Sequence, residues 1–169
     1  SIGSSAFSGC SSLTSVTIPE NVTSIESGAF SGCSSLTSVA IPKGVTSIKS
    51  YTFYDCSSLT SVAIPEGVTD IEQDAFESCG SLICVAIPKS VTSIWGWAFN
   101  GCSKLKDVYY GGTKAQWESI SIPGSNEPLL QATIHYQAAA ASQIRPVDTD
   151  SLEGGKTLKL TLWSPMLNK

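Results

Sequence analysis

Apolar residues recur over residues 1–110 of the chain at a constant spacing of 23 positions. Each of five columns of equivalent positions holds one residue type: Phe7, Phe30, Phe53, Phe76 and Phe99; Leu13, Leu36, Leu59, Leu82 and Leu105; Val16, Val39, Val62, Val85 and Val108; Ile2, Ile25, Ile48, Ile71 and Ile94; Cys10, Cys33, Cys56, Cys79 and Cys102. Fixed apolar positions at a period in the twenties predict a repeat solenoid, in which each repeat forms one coil stacked on the next.

Each repeat predicts a mainly β coil with two short strands. The segment LTSVAIP at 36–42 alternates, so that Val39 and Ile41 point inward and Ser38 points outward. The segment GVTSI at 44–48 predicts a second strand, and the rest of the repeat predicts a turn or a short helix at the corner of the coil. A single coil of this kind is not stable, because burying its apolar side chains at ~1.5 to 3 kcal/mol each does not offset the ~1.5 kcal/mol needed to order each residue. The coils are therefore expected to fold only as a stack.

The consensus L-x-x-V-x-I-P followed by V-T-S-I-x-x-x-A-F-x-x-C resembles the BspA-like class of leucine-rich repeat, and the resemblance covers residues 1 to about 110. Proteins of that family are typically exported to the surface of bacteria and some protists, where they are associated with adhesion. The resemblance implies an extracellular or cell-surface binding scaffold that is not an enzyme and uses no cofactor. Its implied partner is a host or neighbouring-cell surface protein or a matrix protein, and the family supplies no motif of ligand-contacting residues.

The repeat pattern ends after Val108, where the sequence predicts a C-terminal α/β cap. Thr113 and Gln116 are spaced as a capping box, which predicts a short helix over residues 114–120. A further helical turn is expected from Asn126, and residues 132–136 predict a last strand. Such a cap is required because an open solenoid end exposes apolar rows and unpaired strand edges. Trp117, Leu129 and Leu130 are the expected covering residues.

Four segments follow from these patterns. Residues 1–110 form the repeat array, with a partial first repeat and four full ones, and residues 111–137 form the cap. Residues 138–155 are interpreted as a linker, and residues 156–169 contain one alternating strand. That strand either pairs with the cap, begins a further domain or is foreign to the natural chain. The partial first repeat also suggests that the sequence is a piece of a longer protein, which is compatible with an export signal outside this piece.

Composition excludes several classes of function. Only 14% of the residues are charged, the net charge is −4 and no basic run occurs, which argues against a nucleic-acid partner. No apolar stretch approaches the ~18 residues that span a bilayer, so no membrane insertion is expected. The charged residues instead form two columns that alternate in sign and favour the stacking register: Glu20, Lys43, Glu66 and Lys89; Glu26, Lys49 and Glu72.

The cysteines and the single histidine predict neither a metal site nor a catalytic site. The cysteine column has no His or carboxylate beside it, so buried packing is expected. Cys84 lies instead in the outward column that Ser15, Ser38 and Ser61 hold in the earlier repeats, which leaves two interpretations: an exposed thiol that can bridge to another molecule, or a neutral replacement of Ser. His135 has no nearby catalytic partner in the sequence and is expected to be an ordinary surface residue.

The candidate binding residues lie at the C-terminal end of the array. Trp95 and Trp97 occupy positions that point outward in other repeats, and two tyrosines follow in the next strand. Exposed aromatic clusters commonly anchor contacts with partners. The predicted partner-binding set is Trp95, Trp97, Tyr109, Tyr110, Asp107 and Cys84. The alternative is that these rings shield the junction with the cap.

Three functions are compatible with the sequence. The first is a non-catalytic protein-binding or adhesion module of an exported surface protein. The second is a stalk or spacer whose parent protein carries its function in other domains, which the monotony of the repeats favours. The third is an ordered-water surface of the ice-binding kind, built on Thr23, Thr46, Thr69 and Thr92, although charged columns interrupt that face.

Overall fold

The computed structural model describes residues 1–138, and the expectations for residues 139–169 lie outside the described part of the chain. The described residues form a solenoid of five coils followed by a cap, as the period predicts. We number the coils by their ranges: coil 1 is 1–19, coil 2 is 20–42, coil 3 is 43–65, coil 4 is 66–88 and coil 5 is 89–111.

The elements are short. The strands are β1 (Ser15–Val16), β2 (Ser38–Val39), β3 (Ser47–Ile48), β4 (Ser61–Ala63), β5 (Asp70–Ile71), β6 (Cys84–Ile87), β7 (Ser93–Ile94), β8 (Asp107–Tyr110) and β9 (Thr133–His135). The helices are α1 (Lys114–Glu118) and α2 (Glu127–Gln131), with a 3₁₀ turn at Gly124–Asn126 before α2.

All strand pairs are parallel and follow the repeat. β1 pairs with β2, β3–β5–β7 form a second sheet, and β4–β6–β8–β9 form a third. Between coils the register is the sequence period itself, so Val62 lies beside Val85 and Val85 beside Val108. Between β2 and β4 the amide of Thr60 still donates to the carbonyl of Thr37. Each coil therefore presents two strand faces joined by a corner.

The phenylalanine column forms the centre of the core. Successive rings from Phe7 to Phe99 are stacked with centroids 5.3 to 5.6 Å apart and planes within 15° of parallel. The four rings after Phe7 have no exposed surface, whereas Phe7 is 38% exposed in the first coil. The predicted stacking of equivalent positions in successive repeats is confirmed.

At the corner, backbone amides donate forward to the next coil. The amide of Phe30 donates to the carbonyl of Thr52 and that of Phe53 to Ala75, and equivalent bonds flank each Phe from Phe7 to Phe76 on both sides. The thiols of the cysteine column donate in the opposite direction: that of Cys56 donates to the carbonyl of Phe30, and Cys79 and Cys102 repeat this bond in the following coils. Every cysteine in the described residues is a free thiol, and of the column only Cys10 is exposed.

Two side chains of the cap replace the coil that would follow coil 5. The amide of Phe99 donates to Oδ1 of Asn126 at 2.9 Å, and the amide of Trp97 donates to Oγ of Ser125 at 3.1 Å. In earlier coils the equivalent amides reach backbone carbonyls of the next coil. Asn126 is fully buried, and its Nδ2 also donates to the carbonyl of Trp95. The cap therefore ends the hydrogen-bond pattern with side-chain oxygens.

The cap agrees with the sequence in outline. The capping box of Thr113 and Gln116 is present, but α1 ends at Glu118, earlier than the predicted end at residue 120. Trp117 and Leu129 are buried over the end of the array, as expected. Leu130 is 50% exposed, so its predicted covering role is wrong: it follows the buried Leu129 on a helix with only one face against the core.

Only one neighbouring pair in the two predicted charge columns forms an ion pair in the described residues. Lys49 and Glu72 form an ion pair at 3.0 Å. In the described part of the chain no ion pair joins members of the other column, Glu20 to Lys89. Most of the alternation therefore acts only at longer range, where solvent screens it.

Candidate functional site

The outward face of the large sheet changes character at β8. In and beside β1, β2 and β4 the outward positions hold small residues: Ser15, Thr17, Ser38, Ala40, Ser61 and Ala63. In β8 they hold Asp107 and Tyr109, both half-buried, while Val108 and Tyr110 point into the core. Large polar and aromatic side chains thus appear on this face only where the array meets the cap.

β9 brings the single histidine beside these two residues. It pairs with β8 so that His135 lies opposite Tyr109 and Thr133 opposite Asp107. The rings of Tyr109 and His135 are stacked with centroids 4.7 Å apart and planes at 14°. His135 Nε2 lies 2.7 Å from Oδ1 of Asp107. His135 is a surface residue, as expected, but the cap strand extends the sheet and gives it two partners that the sequence did not indicate. We call Asp107, Tyr109 and His135 the sheet-end cluster.

The sheet-end cluster is accessible and prearranged. The side chains of His135 and Asp107 are 43% and 30% exposed. Tyr109 is fixed between the sheet and the histidine ring, and its partial burial, with Asp107 nearby, raises the pKa of its phenol. The phenol therefore stays neutral at physiological pH. Together these groups offer an aromatic surface, hydrogen-bond donors and a carboxylate in one fixed arrangement.

Cys84 is not available at this surface. It lies between Ser61 and Asp107 on the outward side of the sheet, but only 2% of its surface is exposed. Burial, with a smaller effect of Asp107, raises the pKa of its thiol to about 11. Ser61, which precedes it in the same column, is also buried, with 5% of its surface exposed. The interpretation as an exposed bridging thiol is wrong, and Cys84 behaves as a buried substitute for Ser.

Tyr110 is also not a surface residue. It is 1% exposed and packs edge-on against Trp117 with ring centroids 5.1 Å apart. Its β-sheet partner in the preceding coil is Ile87, so it occupies the inward isoleucine column. The adjacent Gly112 leaves room for its ring, because a Cβ at that position would lie 2.7 Å from Tyr110 Cε1.

The two tryptophans are exposed but lie elsewhere on the coil. Trp95 and Trp97 are each 49% exposed, as predicted. They follow β7, which belongs to the three-stranded sheet, whereas Tyr109 belongs to the four-stranded one. Their hydrogen bonds to the cap come from the main chain rather than the indole rings. The predicted aromatic cluster is thus two separate sites.

The described residues show no arrangement suited to catalysis by a metal. Within residues 1–138 no group of three or more His, Cys, Asp or Glu side chains is placed to hold a metal ion. The sheet-end cluster contains one acid and one histidine on an open surface. These side chains offer a hydrogen-bonded acid–histidine pair and a stacked aromatic surface.

Fold and site together define a leucine-rich repeat solenoid with an open sheet face. The model of the BspA type leucine rich repeat region matches residues 1–126 in 6 copies. The chain belongs to this family of leucine-rich repeat proteins. The match extends past the predicted end of the array at residue 110, over α1 and into the cap. Proteins built from such repeats commonly serve as protein-interaction modules.

Two solved structures are similar to the chain. A leucine rich cell surface protein from Faecalibacterium prausnitzii A2-165 is 40% identical with a TM-score of 0.69, over 72% of this chain and 32% of that one. The T. pallidum Leucine Rich Repeat protein is 40% identical with a TM-score of 0.61, over 63% of this chain and 50% of that one. The chain thus spans about a third and a half of their lengths. Comparison with curated proteins gave no significant match.

The helices of the described region are short. Both α1 and α2 are single short turns of chain, and no helix within residues 1–138 is long and apolar enough to cross a membrane.

Proposed function

We propose that this chain is a non-catalytic protein-binding module of a cell-surface protein, which contributes to adhesion by docking a host or neighbouring-cell surface or matrix protein. The family and the likeness to a bacterial cell-surface protein support this assignment. The docking site is the sheet-end cluster, and Trp95 and Trp97 form a separate candidate contact on the neighbouring corner.

The observation that carries the proposal is the contrast within one face. Small side chains on β1, β2 and β4 leave the sheet flat and weakly adhesive, whereas Tyr109, His135 and Asp107 stand together at its C-terminal end. Binding hot spots are enriched in aromatic side chains that are held rigidly and flanked by polar groups. The stacked pair loses little conformational freedom on binding, because each ring is already fixed by the other.

Binding to a panel of purified, immobilised matrix and cell-surface proteins tests this site. For any protein of the panel that binds, we expect Tyr109→Ala to weaken the affinity by about tenfold or more, and His135→Ala to weaken it similarly. Thr17→Ala, on the same face at the other end, is the matched control and should change nothing. Equal affinity of Tyr109→Ala and the unchanged chain would overturn the site.

A stalk or spacer is the second candidate, and the uniform face of β1, β2 and β4 favours it. A stalk predicts no saturable binding to any protein of the panel. It further predicts that replacing Tyr109 and His135 together by the small residues found in earlier coils leaves attachment of cells displaying the full parent protein unchanged. The binding module predicts a loss of attachment in the same experiment.

A further inference from the structure

A shallow groove of about 520 Å³ lies on the corner of coils 1 to 4, outside the sheet face. Its floor consists of small residues of coils 1 and 2: Ser5, Ser8, Ser27, Gly28 and Ser31. Tyr51 and Tyr54 of coil 3 form a wall, and Glu77 of coil 4 completes the lining.

The groove is a step in the repeat pattern. Tyr51 occupies the position that Gly28 holds in coil 2, and Tyr54 occupies the position of Ser31. At this corner the surface therefore changes from two small residues in coil 2 to two aromatic rings in coil 3. The rings are 5.8 Å apart and tilted by 59°, and Tyr51 is 44% exposed. Tyr51 also has a φ of 61°, a left-handed conformation that costs a non-glycine residue free energy and that Gly28 adopts more easily.

The floor offers hydroxyl groups rather than main-chain groups. Within residues 1–138 the hydroxyls of the four floor serines have no hydrogen-bond partner in the protein, whereas the amides beneath them are used in the stack. The amide of Ser5 donates to the carbonyl of Ser27, and the amide of Gly28 to that of Ser50. A peptide that adds as a strand needs free main-chain groups. The groove is therefore suited to a ligand that exchanges hydroxyl hydrogen bonds.

Glu77 sets the charge of the site. Its Oε1 accepts a hydrogen bond from Nδ2 of Asn100 at 2.9 Å, which holds the carboxylate at the edge of the groove. An ionised carboxylate accepts strong hydrogen bonds from ligand hydroxyls and repels anions. The interaction with the carboxylate of Asp74 raises the pKa of the Tyr51 phenol above its ordinary value, so this group carries no charge at physiological pH.

We propose that this groove binds an uncharged saccharide. The aromatic wall receives the C–H face of a sugar ring, the serine hydroxyls both donate to and accept from its hydroxyls, and Glu77 accepts from a pair of them. The site is distinct from the sheet-end cluster and does not depend on the proposed protein partner, so either can fail alone.

The test is a titration of the ¹⁵N-labelled full chain with neutral disaccharides (maltose, cellobiose, lactose and chitobiose) followed by amide shifts. We expect saturable shifts in coils 1 to 3 for at least one sugar. The double variant Tyr51→Gly/Tyr54→Ser installs the residues of coil 2 in coil 3, so it removes the wall while using side chains that the repeat already accepts. It should weaken binding about tenfold or more.

Two further variants sharpen the result. Ser31→Tyr, which copies Tyr54 into coil 2, should fill the groove and also weaken binding, while Tyr109→Ala on the sheet face should leave it unchanged. The absence of shifts with all four sugars at roughly 20 mM, about the weak limit for such ligands, would overturn the proposal. So would shifts that persist in the double variant, or binding of an arginine-rich tetrapeptide in place of every sugar.

Discussion

The second coil and the fifth coil share one interior and differ in their surfaces. Phe30 and Phe99 are both fully buried in the same column, and Val39 and Val108 occupy the same strand position. Outside, the small Ala40 of coil 2 corresponds to Tyr109 of coil 5. Stacking requires equivalent inward residues, because each one packs against its copies above and below. The outward positions carry no such requirement, so function can vary there without loss of the fold.

Thiol labelling in the native state should give the largest difference. Cys10 in the open first coil is exposed, whereas burial raises the pKa of Cys56 to about 12. Only the thiolate reacts, and the reagent reaches Cys10 but not the enclosed Cys56, so at pH 8 Cys10 should be modified at least about a hundredfold faster than Cys56. Peptide mass mapping after timed exposure to iodoacetamide measures both. Comparable rates would mean that the column is not enclosed.

Removing one inward ring should cost far more than removing one outward ring. Phe53→Ala opens a cavity between two stacked neighbours and should lower the free energy of unfolding by about 4 kcal/mol. Tyr109→Ala removes a half-exposed ring and should cost about 1 kcal/mol or less. Urea unfolding followed by circular dichroism compares the two. Equal losses would contradict the division between a structural interior and a functional surface.

The cap should depend on one amide side chain. Asn126→Ala leaves the buried amide of Phe99 and the carbonyl of Trp95 without their partner, which should cost about 3 kcal/mol. Asn100→Ala is the matched control: its side chain is half-buried and binds only Glu77, so about 1 kcal/mol or less is expected. If the two variants unfold at the same urea concentration, the hydrogen bonds of the Asn126 side chain do not substitute for those of a further coil.

The smallest effect is expected for the charge column. Although burial alone raises the pKa of Glu72, hydrogen bonds from Lys49 and Ser50 outweigh it and lower the pKa. The pair therefore stabilises the fold at neutral pH, and this stabilisation is lost as the pH falls through the folded-state pKa of Glu72. Lys49→Met should cost below about 1 kcal/mol at pH 7, and Lys43→Met, which breaks no close pair, should cost nothing measurable. A pH-independent effect of Lys49→Met would contradict this account.

The repeat pattern predicts the interior well and the surface poorly. Equivalent positions of successive repeats lie in one column, and the same spacing from Ile87 would have placed Tyr110 inside. The two adjacent tyrosines favour an exposed aromatic pair, and this interpretation is wrong for Tyr110. The alternation of the strand places the column of Cys84 on the outward side but does not indicate burial there, and both Ser61 and Cys84 are buried.

The cap residues were the hardest to predict, because the repeat no longer fixes their register. His135 pairs opposite Tyr109 at a spacing of 26 positions rather than 23, so no column identifies the contact with Asp107. Asn126 was expected only to begin a helical turn. In its actual role, the side-chain oxygen occupies the position of a backbone carbonyl of a further coil. No local sequence pattern predicts this.

Amide hydrogen exchange along the ¹⁵N-labelled chain tests the stacked-coil account most directly. The account predicts protection that rises and falls with the period of the repeat, with the amides of Phe30, Phe53, Phe76 and Phe99 among the slowest to exchange. Phe99 is the decisive position, since its acceptor is a side chain of the cap. Protection without this period, or exchange of these phenylalanine amides at the rate of an unfolded chain, would contradict it.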